Sequence, residues 1–399
     1  MDNVTTKRNQ MTKTKPFPEW PKYNEKEREL IYEVLESTEW CRLSGKKVKD
    51  FEQKFAEYHN IKYGIGVTNG THALELALAA MGINPDDEVI VPAMTFIATA
   101  TAVIQNGAIP VLVDIDPETY CILPDAIEEA ITEKTKAIIP VHIAGHACDM
   151  DRICAIAKKY NLLVLEDAAH AQGGKYKGKM LGSFGDAAAF SFQSKKILTC
   201  GEGGAFITNN KQYYDEAFLI QGVGRPEGDR VYEHTVLGTN YRMAEFQAAL
   251  LLGQLNTLDD MNQKREKNAK ILDNLLADVK GIKPQKRADY CTVNTHYMYM
   301  FVYDSECFNG LSRNGFVERL NEEGIPAYRC YPVVADTTFF KNRNFRGKIN
   351  PDKLKVDYSL KNAEYVSSNA IWLPHNLLLG DEQDMKEIRE AILKIQNEK

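Results

Sequence analysis

The segment Leu162–His170 reads LLVLEDAAH, and it shows most directly how the chain is built. Its apolar residues predict a strand without a polar face, which is typical of a strand covered by helices on both sides. Glu166 and Asp167 follow at the carboxyl end of this strand, where open α/β sheets bind their ligands. The segment predicts a buried strand that delivers two acids to a ligand site, although an acid here is also a common helix cap or surface charge.

Similar apolar segments alternate with amphipathic stretches on both sides of this strand, from about Tyr63 to Leu255. Such alternation is typical of strands and helices built around a largely parallel sheet. The predicted strands span residues 64–67, 88–91, 109–113, 137–141, 162–165, 187–192 and 205–208. We therefore expect an α/β fold.

The pattern changes after Leu255. A long charged helix, one strand and two further helices are predicted at residues 259–279, 296–303, 312–323 and 382–396. We expect a flexible N-terminus at 1–16, a large domain at 17–255 that includes the N-terminal segment, and a smaller C-terminal α/β domain at 256–399.

Composition excludes several classes of function. The formal net charge of −6 argues against nucleic acid as a partner, because such binding needs a basic surface. No run of eighteen apolar residues predicts a membrane span, and residues 1–15 lack the apolar core of a secretory signal. The eight cysteines show no metal-site spacing, so we expect reduced thiols, no metal and a cytoplasmic location.

A second informative segment, Ile65–Leu74, reads IGVTNGTHAL. A strand ends, a turn with glycine follows, and a helix begins at about Thr71. Backbone N–H groups and a hydroxyl then converge on one point, which suits a phosphate. The same pattern is also an ordinary helix cap.

A third segment, Phe190–Gly204, reads FSFQSKKILTCGEGG and places a lysine between an apolar strand and a glycine turn. Lysine is normally solvated, but apolar surroundings lower the pKa of its ammonium and make the amine nucleophilic. A phosphate turn, an acid such as Asp167 that holds a pyridinium N–H, and such a lysine are together what a pyridoxal 5'-phosphate site requires.

Five motifs in order carry a resemblance to a known family: Val91–Phe96, Glu166–Ala171, Ser191–Gln193 with Lys196, Gly201–Gly204 and Asn240–Met243. The chain resembles the sugar and cyclitol aminotransferases of the DegT/DnrJ/EryC1/StrS family from Trp20 to about residue 390. The resemblance implies pyridoxal-phosphate fold type I, like aspartate aminotransferase. This fold has a large domain with a mostly parallel seven-stranded sheet and a smaller C-terminal α/β domain.

The resemblance also implies roles for individual residues. Lys196 holds the cofactor as a Schiff base, because the family places this lysine five residues after the phosphate-binding serine, here Ser191. Lys195 falls one position early, so we expect a solvated side chain. Asp167 matches the acid that pairs with the pyridine nitrogen, and His170 matches the group near the ring hydroxyl, although it could be a satisfied core histidine.

Three further matches concern the rest of the cofactor. Gly70 and Thr71 match the phosphate turn, and Phe96 matches the aromatic residue that stacks on the ring, with a plain core role as the alternative. Asn240 matches an asparagine supplied to the phosphate by the neighbouring subunit, which implies a homodimer with shared active sites. A loop asparagine that caps a helix is the alternative.

The implied activity moves an amino group from glutamate or glutamine to the ketone of a sugar or cyclitol, in amino-sugar or natural-product biosynthesis. Phe17–Pro21, Gln193 and Gly145-His146 resemble the branch with inosose aminotransferases and aminohydroxybenzoate synthases. A nucleotide-linked ketosugar aminotransferase for surface polysaccharide, a dehydratase or aromatising synthase and a non-catalytic scaffold remain alternatives. Dehydratase relatives tend to have histidine at the lysine position, so Lys196 favours transamination.

Six further residues are candidates for contact with substrate, without an assigned role. Three arginines are able to bind a carboxylate or phosphate but suit an interface equally well. The six are Arg225, Arg242, Arg329, His142, Tyr331 and His375.

Overall fold

The computed structural model describes residues 11–355 and 359–398. Of the predicted flexible segment 1–16, residues 1–10 lie outside the described part. Thr12 and Lys13 are hydrogen-bonded to the C-terminal part of the chain through the backbone and side chain of Glu323.

Residues 11–255 contain nine strands. They are β1 Tyr63–Val67, β2 Glu88–Pro92, β3 Ile109–Val113, β4 Thr135–Ile138, β5 Leu163–Asp167, β6 Lys175–Tyr176, β7 Lys179–Met180, β8 Ala187–Ser191 and β9 Gly204–Thr208. Seven of them form one sheet in the order β1-β9-β8-β5-β4-β2-β3. The seven predicted strands and the mostly parallel α/β fold are thus confirmed.

Two local differences from the predicted sheet have a simple cause. β4 ends at Ile138 rather than at residue 141, because Pro140 has no N–H group to donate to a neighbouring strand. β9 is antiparallel to both β1 and β8, since the connection from β8 contains no helix that would carry the chain across the sheet.

Helices cover this sheet. They are α1 Glu25–Ser37, α2 Lys47–Tyr58, α3 Gly70–Ala80, α4 Ala98–Gln105, α5 Pro124–Ala130, α6 Met150–Tyr160, α7 Lys211–Gln221 and α8 Glu245–Leu255. Phe51 and Phe55 of α2 pack edge-on against Phe190 and Phe192 in and after β8. This aromatic cluster fixes the strand that leads to Lys196.

The remaining strands and helices follow Leu255. They are α9 Leu258–Leu276, β10 Ile282–Pro284, β11 Cys291–Val293, β12 Met298–Tyr303, α10 Arg313–Glu322, β13 Tyr328–Arg329, α11 Thr338–Lys341, α12 Lys361–Asn369, β14 Ala370–Pro374 and α13 Glu382–Asn397. Strands β10, β12, β14 and β13 form an antiparallel sheet in that order. α9 and α13 pack together beside it.

The boundary predicted near residue 256 stays a prediction, because the two halves interlock. One apolar cluster draws on residues 269–395 and belongs to the C-terminal sheet. However, β11 pairs with β6, and Val333 and Phe340 pack into the apolar cluster of the large sheet. The C-terminal part of the chain therefore also contributes to the region around the first sheet.

No helix within 11–355 and 359–398 combines the length and the apolarity needed to cross a membrane. The carboxyl ends of β5 and β8 lie at one edge of the large sheet, beside the amino end of α3. Three separate segments of sequence therefore meet there.

Candidate active site

A cavity of about 590 Å³ opens at this edge of the sheet. It is lined by seven of the eight residues that the sequence nominates: Gly70, Thr71, Phe96, Asp167, His170, Ser191 and Lys196. Asn240 does not line it and is exposed. The fold thus gathers residues as far as 126 positions apart, Gly70 and Lys196, into one site, and their roles remain predictions.

The amino end of α3 forms one end of the cavity. Asn69 caps the helix by accepting a hydrogen bond from the N–H of His72, which leaves the N–H groups of Gly70 and Thr71 in the open first turn. A Cβ at Gly70 would lie 2.6 Å from the Cβ of Ser191, so only glycine permits this close approach. The free N–H groups, the helix dipole and the serine fit a phosphate group.

Asp167 lies at the end of β5, with 5% of its surface exposed. Its carboxylate accepts hydrogen bonds from the Oγ1 of Thr99 at 2.8 Å and from the N–H of Ala169 at 3.2 Å. Burial raises the pKa of Asp167, while these donors and the charge of Lys196 oppose the rise. A cationic ring N–H would hold this carboxylate ionised, as the cofactor requires.

Lys196 follows β8, and it is 9% exposed. Its Nζ lies 4.3 Å from the centre of the Tyr297 ring. Burial lowers the pKa of Lys196 to about 7, with the carboxylate of Asp167 acting in the opposite direction. A large fraction of this amine is therefore uncharged near neutral pH and able to attack a carbonyl carbon.

His170 and Tyr297 stack with a ring separation of 4.3 Å beside Lys196. The Nδ1 of His170 accepts a hydrogen bond from the N–H of Ala144, so the Nε2 carries the proton of the neutral ring. Burial keeps the pKa of His170 well below its usual value, and the charge of Lys196 lowers it further. His170 is thus a neutral donor.

The other predicted residues have distinct surroundings. Phe96 is 55% exposed and lies across the cavity from Tyr331, with a ring separation of 6.0 Å. Lys195 is exposed, as expected.

Arg225 and Arg242 line a different cavity of about 480 Å³. Arg329 is exposed on β13, His142 is bonded to Glu166, and His375 contacts the backbone beside Lys196. The structure places Tyr331 alone of these six in the cavity with Lys196.

Sequence reasoning missed two residues. Thr99 holds the carboxylate of Asp167, and Tyr297 lies against the amine of Lys196. A threonine one turn after the Val91–Phe96 motif is a weak signal. Tyr297 gave none, because it belongs to the C-terminal part of the chain and reaches the site only through folding.

The residues of this site fit pyridoxal phosphate. The phosphate turn, the buried carboxylate and the buried amine lie in the same cavity. No cluster of histidine, cysteine or acidic side chains suited to a metal ion occurs in the described parts of the chain.

The chain is similar to known proteins over nearly its whole length. The model of the DegT/DnrJ/EryC1/StrS aminotransferase family matches residues 21–393. The chain is 40% identical to 3-amino-5-hydroxybenzoate synthase of Amycolatopsis mediterranei (95% of this chain, 97% of that protein). It is 35% identical to L-glutamine:2-deoxy-scyllo-inosose aminotransferase of Streptomyces kanamyceticus (96% and 94%). A crystal structure of 3-amino-5-hydroxybenzoic acid synthase superposes with a TM-score of 0.88 at 38% identity (96% and 100%).

Proposed function

The chain belongs to the DegT/DnrJ/EryC1/StrS aminotransferase family, and we propose that it moves the amino group of glutamine to the ketone of a cyclitol or a similar small ring. It is a pyridoxal-phosphate-dependent aminotransferase. The observation that carries the proposal is the buried amine of Lys196, which lies in one cavity with the Asp167 carboxylate and the amino end of α3.

When bound, pyridoxal phosphate supplies an aldehyde that joins to amines and a ring that withdraws electrons from the adjacent carbon. The N–H groups of Gly70 and Thr71 would hold its phosphate, and Asp167 would hold its ring N–H. The Nζ of Lys196 would accept the proton that leaves the substrate carbon as a general base and would donate it as a general acid in the next step of the transfer. His170 and Tyr297 cover the amine and exclude water from it.

The lining of the cavity supports a small uncharged acceptor over a nucleotide-linked sugar. Among the described residues that line it, Lys196 is the one cationic side chain, whereas Asp167 and Glu202 are acidic. A diphosphate would meet repulsion from these two acids. The names of two relatives refer to small rings without a nucleotide, an inosose and an aminohydroxybenzoate, which agrees with a small acceptor.

The test is an assay with purified protein. An inosose with glutamine should yield the aminocyclitol and the keto acid, both identified by mass, and nucleotide ketosugars should react much more slowly. Reduction of the holoenzyme with borohydride should add a stable label to Lys196. If the label lies on another residue, or if glutamine loses no nitrogen to any ketone, the proposal is wrong.

An aromatising synthase is the second candidate, because a relative named for that reaction is 40% identical over nearly the whole chain. Such an enzyme would eliminate water from a cyclic substrate and create a new aromatic absorbance. The same assay would then show a loss of 18 mass units without consumption of glutamine.

We also place the protein in the cytoplasm as a homodimer with shared sites. The eight free cysteines support a reducing compartment. Val231, Tyr232 and Leu237, which is 96% exposed, lie in the same segment as Asn240 and suit a surface that a second subunit covers.

Mixing two inactive variants tests the shared site. If Asn240 acts across subunits, equal amounts of Lys196→Ala and Asn240→Ala protein should form mixed dimers with one intact site and recover about a quarter of wild-type activity. If Asn240 acts within its own subunit, mixing should recover none.

A further inference from the structure

Two hydrogen bonds hold the peptide groups on either side of the Lys196 Cα. The indole Nε1–H of Trp20 donates to the carbonyl oxygen of Lys196 at 3.0 Å. The Nε2 of His375 lies 3.0 Å from the carbonyl oxygen of Lys195. The two rings also pack edge to face, with centroids 4.8 Å apart. Neither carbonyl belongs to a helix or a strand, so these bonds take the place of regular secondary structure.

Arg265 decides which nitrogen of His375 carries the proton. Its Nε lies 3.3 Å from the Nδ1 of His375, and a guanidinium only donates hydrogen bonds. Nδ1 must therefore accept, and Nε2 must carry the hydrogen that the carbonyl of Lys195 receives. Burial and the charge of Arg265 lower the pKa of His375 well below its usual value, so the ring stays neutral and keeps this tautomer.

Arg265 itself is fully buried with no acidic partner among the described residues. Its Nη1 donates to Asn262 at 2.8 Å, and the guanidinium lies 5.5 Å from the centre of the Trp20 ring. A buried arginine without a carboxylate is costly, and burial lowers its pKa to about 9. Orientation of His375 and Trp20 is a function that would justify this cost.

All three side chains come from outside the large sheet. Trp20 precedes α1, Arg265 lies in α9, and His375 directly follows β14 of the C-terminal sheet. The amide of Asn376 donates to the carbonyl of Pro18 at 2.7 Å and ties the N-terminal segment to the same place. The turn that carries Lys196 is thus attached to the second sheet as well as to the first.

We propose that Trp20, His375 and Arg265 are positioning residues that fix the backbone of Lys196 and thereby hold its amine in line with the reacting carbon. The proposal rests on the proposed role of Lys196. The amine is carried by a long flexible side chain, so the position of its Cα sets where Nζ can reach. A displacement of about 1 Å at a reacting group is enough to cost up to a hundredfold in rate.

The test compares two tryptophans that make the same bond. Trp20→Phe keeps a ring against His375 and removes the N–H that Lys196 receives. Trp372→Phe is the matched control, because its indole also donates to a carbonyl at 3.0 Å, but to that of Arg329 on β13 and not to one in the lysine turn. We expect kcat to fall about tenfold in Trp20→Phe with KM for the ketone within about twofold, and both constants to stay within about twofold in Trp372→Phe.

A spectroscopic readout separates positioning from a loss of stability. The absorbance of the holoenzyme is titrated with pH. Loss of the Trp20 bond would release the turn and admit water to the nitrogen of Lys196. This nitrogen is faced by Asp167, His170 and Tyr297. Water favours its charged form. The midpoint should therefore rise by about half a pH unit or more in Trp20→Phe and stay unchanged in Trp372→Phe.

Variants of His375 provide a second, independent test of the proposal. In His375→Gln the side-chain amide retains a donor near the position of Nε2, whereas His375→Leu has none. We expect the glutamine variant to recover most of kcat and the wild-type midpoint, and the leucine variant to resemble Trp20→Phe. A leucine variant that fails to fold leaves the tryptophan pair as the deciding comparison.

Two results would overturn the proposal: equal behaviour of Trp20→Phe and Trp372→Phe, or a lowered kcat without a change in the midpoint. Borohydride labelling of the wild type distinguishes this failure from failure of the proposed function. If wild-type Lys196 takes the label and the two tryptophan variants still agree, the function stands and the positioning role does not.

Discussion

Two buried lysines, in two regions of the molecule, differ in what surrounds them. Lys13, where the N-terminal segment meets α13, is 7% exposed and bonds to the carboxylates of Asp384 and Glu387. Burial alone would lower its pKa, but the two acids raise it above the usual value. Lys196 is buried to a similar degree, but its Nζ makes no hydrogen bond to a described residue and lies against the ring of Tyr297. Its pKa falls to about 7.

The two neighbouring acids of β5 repeat this contrast. Glu166 accepts hydrogen bonds from His142 and from the N–H groups of Gly182, Phe184 and Gly185. These donors lower its pKa despite complete burial. Asp167 has two donors, and its pKa is raised.

The difference identifies the chemistry of each region. A buried ionisable group whose partners the protein supplies in full stabilises the fold. A buried group that lines a cavity and lacks partners from the protein is available to a ligand. Lys13 and Glu166 belong to the first kind, and Lys196 and Asp167 to the second.

The largest expected effect comes from the two lysines. Lys196→Ala should lower turnover by about 10⁴-fold or more and abolish borohydride labelling, while it leaves the free energy of unfolding of the cofactor-free protein within about 1 kcal/mol. Lys13→Ala should leave turnover within about twofold but cost about 3 kcal/mol, because the buried carboxylate of Glu387 and the partly exposed carboxylate of Asp384 lose their cation. Steady-state assays and chemical denaturation measure both. Equal loss of activity in the two variants would contradict the contrast.

Variants of the two acids, Asp167 and Glu166, should differ in the same way as the lysine variants, with a smaller effect on turnover. Asp167→Asn should lower kcat about 10³-fold, since a neutral amide does not keep the ring N–H charged. In the cofactor-free protein it should not destabilise the fold, because it removes a buried charge with few partners.

Glu166→Gln is the matched variant on the other face of the strand. It should cost about 2 kcal/mol of stability, because at least one N–H loses its acceptor, and change kcat far less than Asp167→Asn does. Denaturation curves of the two proteins decide the point, and an unstable Asp167→Asn protein with a stable Glu166→Gln protein would reverse our assignment.

The pH dependence of stability should also differ between the two acids. The lowered pKa of Glu166 gives stability that is present above its ordinary value of 4.5 and is lost as the pH falls below that value. The raised pKa of Asp167 gives a cost that appears as the pH rises above 3.8. The advantage of cofactor-free Asp167→Asn over wild type should therefore disappear in acid. An advantage independent of pH would count against a buried charge at Asp167.

The rate of cofactor uptake should depend directly on the protonation of the Lys196 amine. Because the pKa of Lys196 is about 7, the rate at which cofactor-free protein binds pyridoxal phosphate should rise with pH up to about 7 and then level off. Stopped-flow absorbance gives this profile. Lys13→Ala should show the same midpoint, and a midpoint near that of an ordinary lysine would refute the effect of burial.

The smallest effect concerns Thr99. Thr99→Val removes one donor from Asp167 with little change of shape, so we expect kcat to fall about fivefold and the pKa of Asp167 to rise further. Thr99→Ser keeps the hydroxyl and should restore most of the rate. If valine and serine behave alike, the hydroxyl does not support the carboxylate.

The sequence predicted much of the large sheet, because its strands are short, apolar and separated by regular amphipathic helices. It missed β6 and β7, which have two residues each and too few side chains to form a pattern. It did not assign Trp20 or His375 a role either. Trp20 belongs to the Phe17–Pro21 stretch that resembles one branch of the family, but this stretch indicates no role for the indole, and His375 lies in no motif. The two rings meet only when residues 355 positions apart fold together.

The sequence by itself determined the class of fold, the family and the chemical types that meet at the strand ends, since these follow from local patterns and motifs. The tertiary structure alone decided which of those groups are left incomplete. Glu166 and Asp167 are adjacent in the chain and similar in chemistry, yet successive side chains of a strand point to opposite faces. One face is closed by backbone N–H groups, and the other opens into the cavity, so the same charge is structural in one residue and available to a ligand in the next.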